Sequence, residues 1–292
     1  MNIIGKRNIF FILSIAIILT GIVVAIISGL NYGIDFTGGT LMQINLGKKV
    51  SVNEIREITD QFDKNASILH AGDNKEKIIV KTTLDLNNKN RLEIFNKFKN
   101  KYNLKDEDFI QSEKFGPAIG KEIRRKAIIA VLIATVGMLL YITFRFELMF
   151  GISAIVALIH DVLIALAVYA LLKVPVNSSF VAAILTIVGY SINDTIVVFD
   201  RIRENLKVIK RKNYDELVNK SIQQTISRSI NTSFTTLLAI VTLYILGVEA
   251  IKDFALPLIV GILAGTYSSI FIASPVWYLL KTRGKNIRPN KA

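Results

Sequence analysis

Long apolar stretches separated by polar segments run along most of this chain. Each of six stretches holds at least 18 residues, and a helix that crosses a bilayer needs about 20. The first stretch follows Lys6 and Arg7 as in a signal peptide, but it is too long for one and no small-residue cleavage site follows it. The pattern predicts an α-helical integral membrane protein with six transmembrane helices, at residues 9–30, 127–144, 148–172, 176–199, 230–247 and 254–280.

A different pattern occupies residues 31–126, where strand-like and helix-like runs follow one another. Apolar residues recur at helical spacing after Ser51, which has Glu54 three residues on as in a capping box, and again after Asn87. Short apolar runs typical of strands surround these helices, at 40–46, 67–71, 77–82 and 108–111. The order β-α-β-β-α-β predicts a small α+β ferredoxin-like domain between the first two transmembrane helices.

Basic residues are concentrated on one side of the predicted bundle. Sixteen Lys and Arg residues lie at the N-terminus, at Arg145, in the loop 200–229 and in the tail 281–292, against two in the short loops on the other side. By the positive-inside rule, both termini and that loop are cytoplasmic. The predicted organisation is residues 1–30 with the first helix, the extracytoplasmic domain 31–126, helices two to six in 127–280, and a basic cytoplasmic tail.

Composition narrows the chemistry that such a protein can carry out. The net charge is +13, but the basic residues follow the membrane topology instead of clustering on one soluble face, which argues against a nucleic-acid partner. The chain has no cysteine and two histidines, which excludes disulfides, thiolate zinc sites and cysteine nucleophiles. Because the pattern contains no catalytic constellation either, we expect neither an enzyme nor a bound metal or other cofactor.

Two carboxylates interrupt the apolar spans. Asp161 and Asp194 are the only formally charged residues within them, and a carboxylate deep in a bilayer costs several kcal/mol. Such a residue marks a substrate or proton pathway by default, although the alternative is that Asp194 is a hydrogen-bonded contact between helices. Thr186, Tyr190 and Asn193 fall on the same stripe of the fourth helix as Asp194. That helix is therefore predicted to have one polar face.

Neighbouring spans supply further polar side chains for a site around these carboxylates. Arg228 and Thr232 share one face near the cytoplasmic end of the fifth helix, at about the depth of Asp194. A pairing of Arg228 with Asp194 is therefore geometrically feasible, and the alternative is that Arg228 is an anchor at the membrane interface. His160 adjoins Asp161 in the middle of the third helix. This pair either relays protons or has a structural packing role, and the sequence leaves both alternatives open.

Four motifs occur in order along the chain. YGIDFTGGT (32–40) follows the first span, FGPAIGKEI (115–123) precedes the second, HD (160–161) lies in the third and GYSINDTIVVFDRIREN (189–205) ends the fourth. Together they resemble the SecF subunits of the bacterial SecDF protein-export complex, which belong to the resistance-nodulation-division superfamily. The resemblance covers essentially the whole chain.

The resemblance implies an accessory role in protein export at the bacterial cytoplasmic (inner) membrane. Members of this family pair with SecD, join the SecYEG channel, often with YajC and YidC, and use the proton-motive force to promote translocation of a preprotein. Carried over by motif, Asp194 is the proton-responsive carboxylate and Arg228 its nearby cation, with protons as the coupling ion. Asp35, Gly38 and Gly39 become a coupling joint under the outer domain, although the glycines also suit a plain turn into the first strand. Since superfamily transporters work as two six-helix halves, SecD is expected to supply the second half.

Overall fold

The computed structural model describes residues 2–208, 213–247 and 249–283. Six helices in these ranges are long and apolar enough to cross a membrane, which confirms the six predicted spans. In chain order the helices are α1 (Arg7–Ser28), α2 (Ile34–Thr37), α3 (Val52–Thr59), α4 (Asn88–Tyr102), α5 (Pro117–Arg145), α6 (Leu148–Leu172), α7 (Ser178–Val208), α8 (Tyr214–Leu246), α9 (Glu249–Ser268) and α10 (Ser274–Arg283). A π-helix, Ser269–Ala273, joins α9 and α10 into one continuous span.

Helices α6, α7 and the α9–α10 span form the centre of the bundle. Between 44% and 61% of the residues in the most apolar part of each are buried, against 6% to 11% for α1, α5 and α8. In the core, Phe150 packs its ring against the enclosed side chains of Trp277 and Phe199. The three outer helices therefore present apolar surfaces to whatever surrounds the bundle.

Helices α7 and α8 extend beyond the predicted spans. The sequence predicts a connecting loop at 200–229, but α7 continues to Val208 and α8 begins at Tyr214. The difference arises because apolar residues at helical spacing in both extensions are buried in the core: Ile202, Leu217, Val218 and Ile222. Residues 209–212 of the predicted loop and 284–292 of the predicted basic tail lie outside the described residues.

Helix α5 also begins earlier than the predicted second span. It starts at Pro117, ten residues before Ala127, because proline is suited to the first position of a helix and Gly116 precedes it in an extended conformation. Gly120 then packs on the backbone of Phe36, where a Cβ would lie 2.6 Å from the carbonyl oxygen. The charged segment 117–126 is therefore the end of a spanning helix and not a part of the predicted domain 31–126.

The residues between α1 and α5 form a small α+β unit. Its strands β1 (Gly39–Asn45), β2 (Ser67–Ala71), β3 (Lys77–Thr82) and β4 (Phe109–Phe115) pair antiparallel in the order β2-β3-β1-β4. Ser51 caps α3 by accepting a hydrogen bond from Glu54 N, as its sequence pattern predicts. Together, α3, α4 and the sheet enclose one apolar core, which includes Met42, Ile44, Ile55, Ile78, Val80 and Phe98.

Candidate functional site

Asp194 is a buried carboxylic acid on α7 with an unsatisfied oxygen. It is 6% exposed, and the hydroxyl groups of Ser229 on α8 and Ser269 in the π-helix lie beside its carboxyl group. Nevertheless, among the described residues neither Asp194 Oδ2 nor Ser229 Oγ makes a hydrogen bond of standard geometry. A buried polar group left without a partner costs about 1–3 kcal/mol. The carboxyl group therefore keeps an open hydrogen-bonding position.

Arg228 lies near Asp194 but does not contact it in the described part of the chain. It is exposed on α8, and no ion pair joins it to Asp194 within the described part of the chain. Thr232, one turn further on, is exposed and donates a hydrogen bond from its hydroxyl to Arg228 O at 2.9 Å. In this conformation the pairing that the sequence suggested is absent, and Ser229 occupies the position next to the carboxyl group.

The polar stripe on α7 faces two directions instead of one. Thr186 and Asn193 are exposed, whereas Asp194 is buried. Tyr190 lies between them, half-buried, and donates from its hydroxyl to Ser233 Oγ on α8 at 3.3 Å. The reason is geometric, since consecutive residues are about 100° apart around a helix and Asn193 and Asp194 lie at opposite edges of the stripe. Asp194 thus points into the bundle while its neighbours point out of it.

Asp161 lies at the centre of a satisfied hydrogen-bond network. It is completely buried, and its Oδ2 accepts from Ser191 Oγ at 2.6 Å and from Ser268 Oγ at 2.9 Å. Its Oδ1 lies 2.9 Å from His160 Nδ1, and His160 Nε2 lies 2.9 Å from Ser14 Oγ on α1. The network therefore connects α1, α6, α7 and the end of α9.

Two adjacent serines at the π-helical junction lie next to different carboxylates. Ser268 binds Asp161, and Ser269 lies beside Asp194 and is 2.8 Å from Thr195 Oγ1. None of Ser191, Ser229, Ser268 and Ser269 is among the site residues predicted from the sequence. The structure thus adds four hydroxyl groups to the predicted site.

The segment between α1 and β1 ties the α+β unit to a spanning helix. Gly33 N donates to Val176 O at 2.9 Å and Val176 N donates to Asn31 O at 2.7 Å, which fixes the segment on the turn between α6 and α7. Asp35 Oδ2 accepts a hydrogen bond from Ser178 N, the first residue of α7, at 2.9 Å. A carboxylate is favourable there because the N-terminus of a helix carries partial positive charge.

Two glycines turn the chain from α2 into β1. Gly38 and Gly39 have φ values of +80° and +146°, and a Cβ on Gly39 would lie 2.2 Å from Thr82 O on β3. Position 39 therefore requires glycine. The three residues predicted as a coupling joint, Asp35, Gly38 and Gly39, lie between the start of α7 and the central strands of the sheet.

Comparisons with known proteins place these features in one family. The family model described as "Protein export membrane protein SecD/SecF, C-terminal" matches residues 94–283, and the one described as "SecD/SecF GG Motif" matches residues 23–50. A protein translocase subunit SecF of Alicyclobacillus acidocaldarius is 40% identical over 298 residues, covering 100% of this chain and 97% of that protein. The protein translocase subunit SecDF of Thermus thermophilus is 41% identical over 96% of this chain, which spans 38% of it.

Solved structures agree with this assignment. The crystal structure of SecDF from Thermus thermophilus, a translocon-associated membrane protein, matches with a TM-score of 0.83 and 40% identity, covering 97% of this chain and 39% of that one. Another SecDF crystal structure, in the super-membrane-facing form, matches with a TM-score of 0.77. The six apolar helices and these relatives make the protein a multi-pass membrane protein. Since the first family model spans well over half of the chain and the SecF relative is similar along its whole length, this chain belongs to the SecF family of protein export membrane proteins.

Proposed function

We propose that this chain is an accessory subunit of the protein translocase that, with SecD, uses the proton-motive force to promote polypeptide translocation through the SecYEG channel. The observation that carries the proposal is the buried Asp194 carboxyl group, one oxygen of which has no hydrogen-bond partner among the described residues. In this proposal the chain is no enzyme and holds no cofactor, and the proton is its coupling ion.

The proton cycle follows from the surroundings of Asp194. Exclusion of water favours the neutral form of a carboxylic acid, and an approaching cation favours the charged form. Arg228 is exposed on α8 and lies near Asp194, so a movement of α8 against α7 would change the distance between the two charges and thereby load and unload a proton. One charge that crosses the membrane potential supplies about 2.3 kcal/mol per 100 mV. We include His160 and Asp161 in the path because Ser268, which binds Asp161, adjoins Ser269.

Helix α7 can transmit the movement that accompanies this cycle to the α+β unit. It carries Asp194, and its first residue is bound to Asp35 in the segment that leads through Gly38 and Gly39 into β1. Movement of α7 would therefore be passed to the α+β unit. We propose that this unit is a ferredoxin-like domain outside the cytoplasm, where it meets the preprotein, and that both termini are cytoplasmic, as the Lys and Arg distribution favours.

An exposed polar strip supports SecD as the partner. Thr186 and Asn193 on α7 and Thr232 on α8 are exposed although they belong to membrane-spanning helices, and a Cβ on Gly189 would meet nothing within 4 Å. Polar and small residues in such positions are typical of contacts between helices and not of contacts with lipid. The SecDF relatives carry a long additional segment in the same chain. We propose that SecD supplies the covering half, and that SecYEG, with YajC and YidC, completes the assembly in the inner membrane.

The proposal is tested by changing Asp194→Asn and measuring export of a secreted protein by pulse-chase labelling in cells. We expect export to fall to the level of a deletion strain, because an amide of the same shape cannot bind and release a proton. Asp200→Asn is the matched control, since it removes a carboxylate from the same helix that pairs with Arg203 nearer the surface.

Membrane levels of this chain and of SecD are measured by blotting in both strains. Normal export by the Asp194→Asn variant at normal subunit levels would contradict the proposal. The chain would then be a scaffold that holds its partners together without moving protons.

A further inference from the structure

A groove of about 380 Å³ lies between α5 and α6, at the end of the bundle that bears the α+β unit. The two helices pack closely near the turn that joins them, where a Cβ on Gly151 would lie 2.7 Å from Thr143 Oγ1. Farther from this turn, residues of α5, α6 and α7 line the groove together. Apolar side chains from α5, α6 and α7 supply most of the walls, including Ile128, Leu132, Val162, Leu166, Phe180 and Ile184.

The groove has one charged residue, and it lies at one end. Arg124 lines the groove seven residues into α5, and its guanidinium has no hydrogen bond or ion pair with any residue in the described ranges. The apolar residues Ile128 and Leu132 follow it at helical spacing towards the middle of the span. Tyr32, which is 39% exposed, lies at the same end as Arg124. Tyrosine and arginine are typical of the depth at which lipid head groups lie.

We propose that this groove binds one anionic phospholipid, with its phosphate at Arg124 and an acyl chain along Ile128 and Leu132. Charge complementarity identifies the ligand class, because the groove offers a single unpaired cation at the level of the head groups and hydrocarbon below it. Exposed Lys121 on the same helix adds positive charge around this end. The groove also touches Tyr32 and Phe36, on either side of Asp35. A lipid bound there therefore supports the segment that ties the α+β unit to α7.

The test uses the full-length chain in its membrane complex, extracted in mild detergent, stripped of lipid and titrated with phosphatidylglycerol or with phosphatidylcholine that has the same acyl chains. Binding is counted by native mass spectrometry. We expect phosphatidylglycerol to bind more tightly, and Arg124→Gln to weaken its binding about fivefold, as expected for the loss of one basic residue near a lipid surface. Arg125→Gln is the matched control, since Arg125 is an exposed neighbour that does not line the groove.

The position of the lipid is checked with a photoreactive group on the acyl chain. Adducts on the α5 peptide that includes Ile128 or on the α6 peptide that includes Leu166 support the proposal. Equal binding of the two lipids, or equal loss in the Arg124 and Arg125 variants, would overturn it. So would disulfide cross-linking from Ile128→Cys, in cell membranes, to a cysteine in a partner subunit, because a polypeptide would then fill the groove.

Discussion

The two membrane carboxylates differ in how their oxygen atoms are satisfied. Both oxygens of Asp161 have partners, from His160 on one side and from Ser191 and Ser268 on the other. Asp194 has an oxygen with no hydrogen-bond partner in the described part of the chain. When a buried acceptor that has hydrogen-bond partners is removed, its donors are left without a partner. Removal of an acceptor that has no partner leaves no donor unpaired. The two residues are therefore expected to contribute to stability with opposite signs.

We expect Asp161→Leu to lower the free energy of unfolding by roughly 2–4 kcal/mol, because two serine hydroxyls and a histidine lose a buried partner. Asp194→Leu, the matched change on α7, is expected to leave stability unchanged or to raise it. Thermal unfolding of the purified variants in the same detergent compares them. Similar losses in both variants would show that Asp194 holds helices together, as the packing interpretation of its burial requires.

The serines of the site show what a single sequence does not reveal. Asp161 and Asp194 are found in the sequence because charge is rare in apolar spans. Serine is no such signal, because its hydroxyl readily bonds the backbone of its own helix, as Ser153 does with Met149 O at 2.7 Å. That Ser268 and Ser269 serve different carboxylates depends on how α9 packs against α6 and α7. The site predicted from the sequence therefore contained the charged residues but not these serines.

Among the elements, α7 links the candidate site to the α+β unit. It runs from Ser178 to Val208, a length of about 46 Å, with Asp194 about 24 Å from its start. Much of it is buried in the bundle, so it is expected to move as one body. Asp35 accepts a hydrogen bond from the N-terminus of α7. Through this contact, a movement of α7 would be passed to the segment that leads into the α+β unit.

We expect Asp35→Ala to reduce export while the chain stays folded, because it removes the hydrogen bond to Ser178 N and the favourable charge at the start of α7. The loss of such a cap costs about 0.5–2 kcal/mol, too little to unfold the bundle. Asp35→Asn keeps a side-chain oxygen as acceptor and is expected to retain most of the export. Pulse-chase labelling with blots for membrane levels compares the variants, and equal export by Asp35→Ala and the unchanged chain would refute this role.

Helix limits were the least predictable feature at this scale. The patterns predicted the number of spans and the order of strands and helices in the α+β unit, but charged residues in 117–126 and 200–208 were interpreted as lying outside the spanning helices. Both segments are helical because tertiary contacts, such as Gly120 on Phe36 and Ile202 in the core, continue beyond the apolar part. Hydropathy indicates which part of a helix can lie in the hydrocarbon core of the bilayer, but it does not indicate where the helix ends.

For the whole molecule, the bundle has a face that the chain does not cover itself. Thr186 and Asn193 are exposed on α7, and Gly189 between them leaves open space. The chain spans about two fifths of its SecDF relatives. The family resemblance of the sequence already implied that another chain supplies a second six-helix half. Which face of the bundle would contact that half is inferred from the burial of individual residues, and the sequence does not give this.

Gly189→Leu is expected to weaken association with SecD about tenfold while leaving the isolated chain as stable as before. The added side chain has free space in this chain, but it would overpack a covering helix, at a cost of about 1–3 kcal/mol. Gly137→Leu is the control, because a Cβ there also meets nothing within 4 Å, on the outer helix α5. Co-purification with tagged SecD measures the effect, and equal recovery with both variants would place the interface elsewhere.

The π-helix at Ser269–Ala273 also affects how related helices must be aligned. A π turn bonds each residue to the fifth one on instead of the fourth, so the last span holds one residue more than a regular helix of the same length. A gapless alignment with a helix that lacks this turn would be one position out of step from Ser274 onwards. It would assign Trp277, which is buried in the core, to a neighbouring face. An alignment with a helix that lacks this turn therefore needs a single-residue gap at this junction.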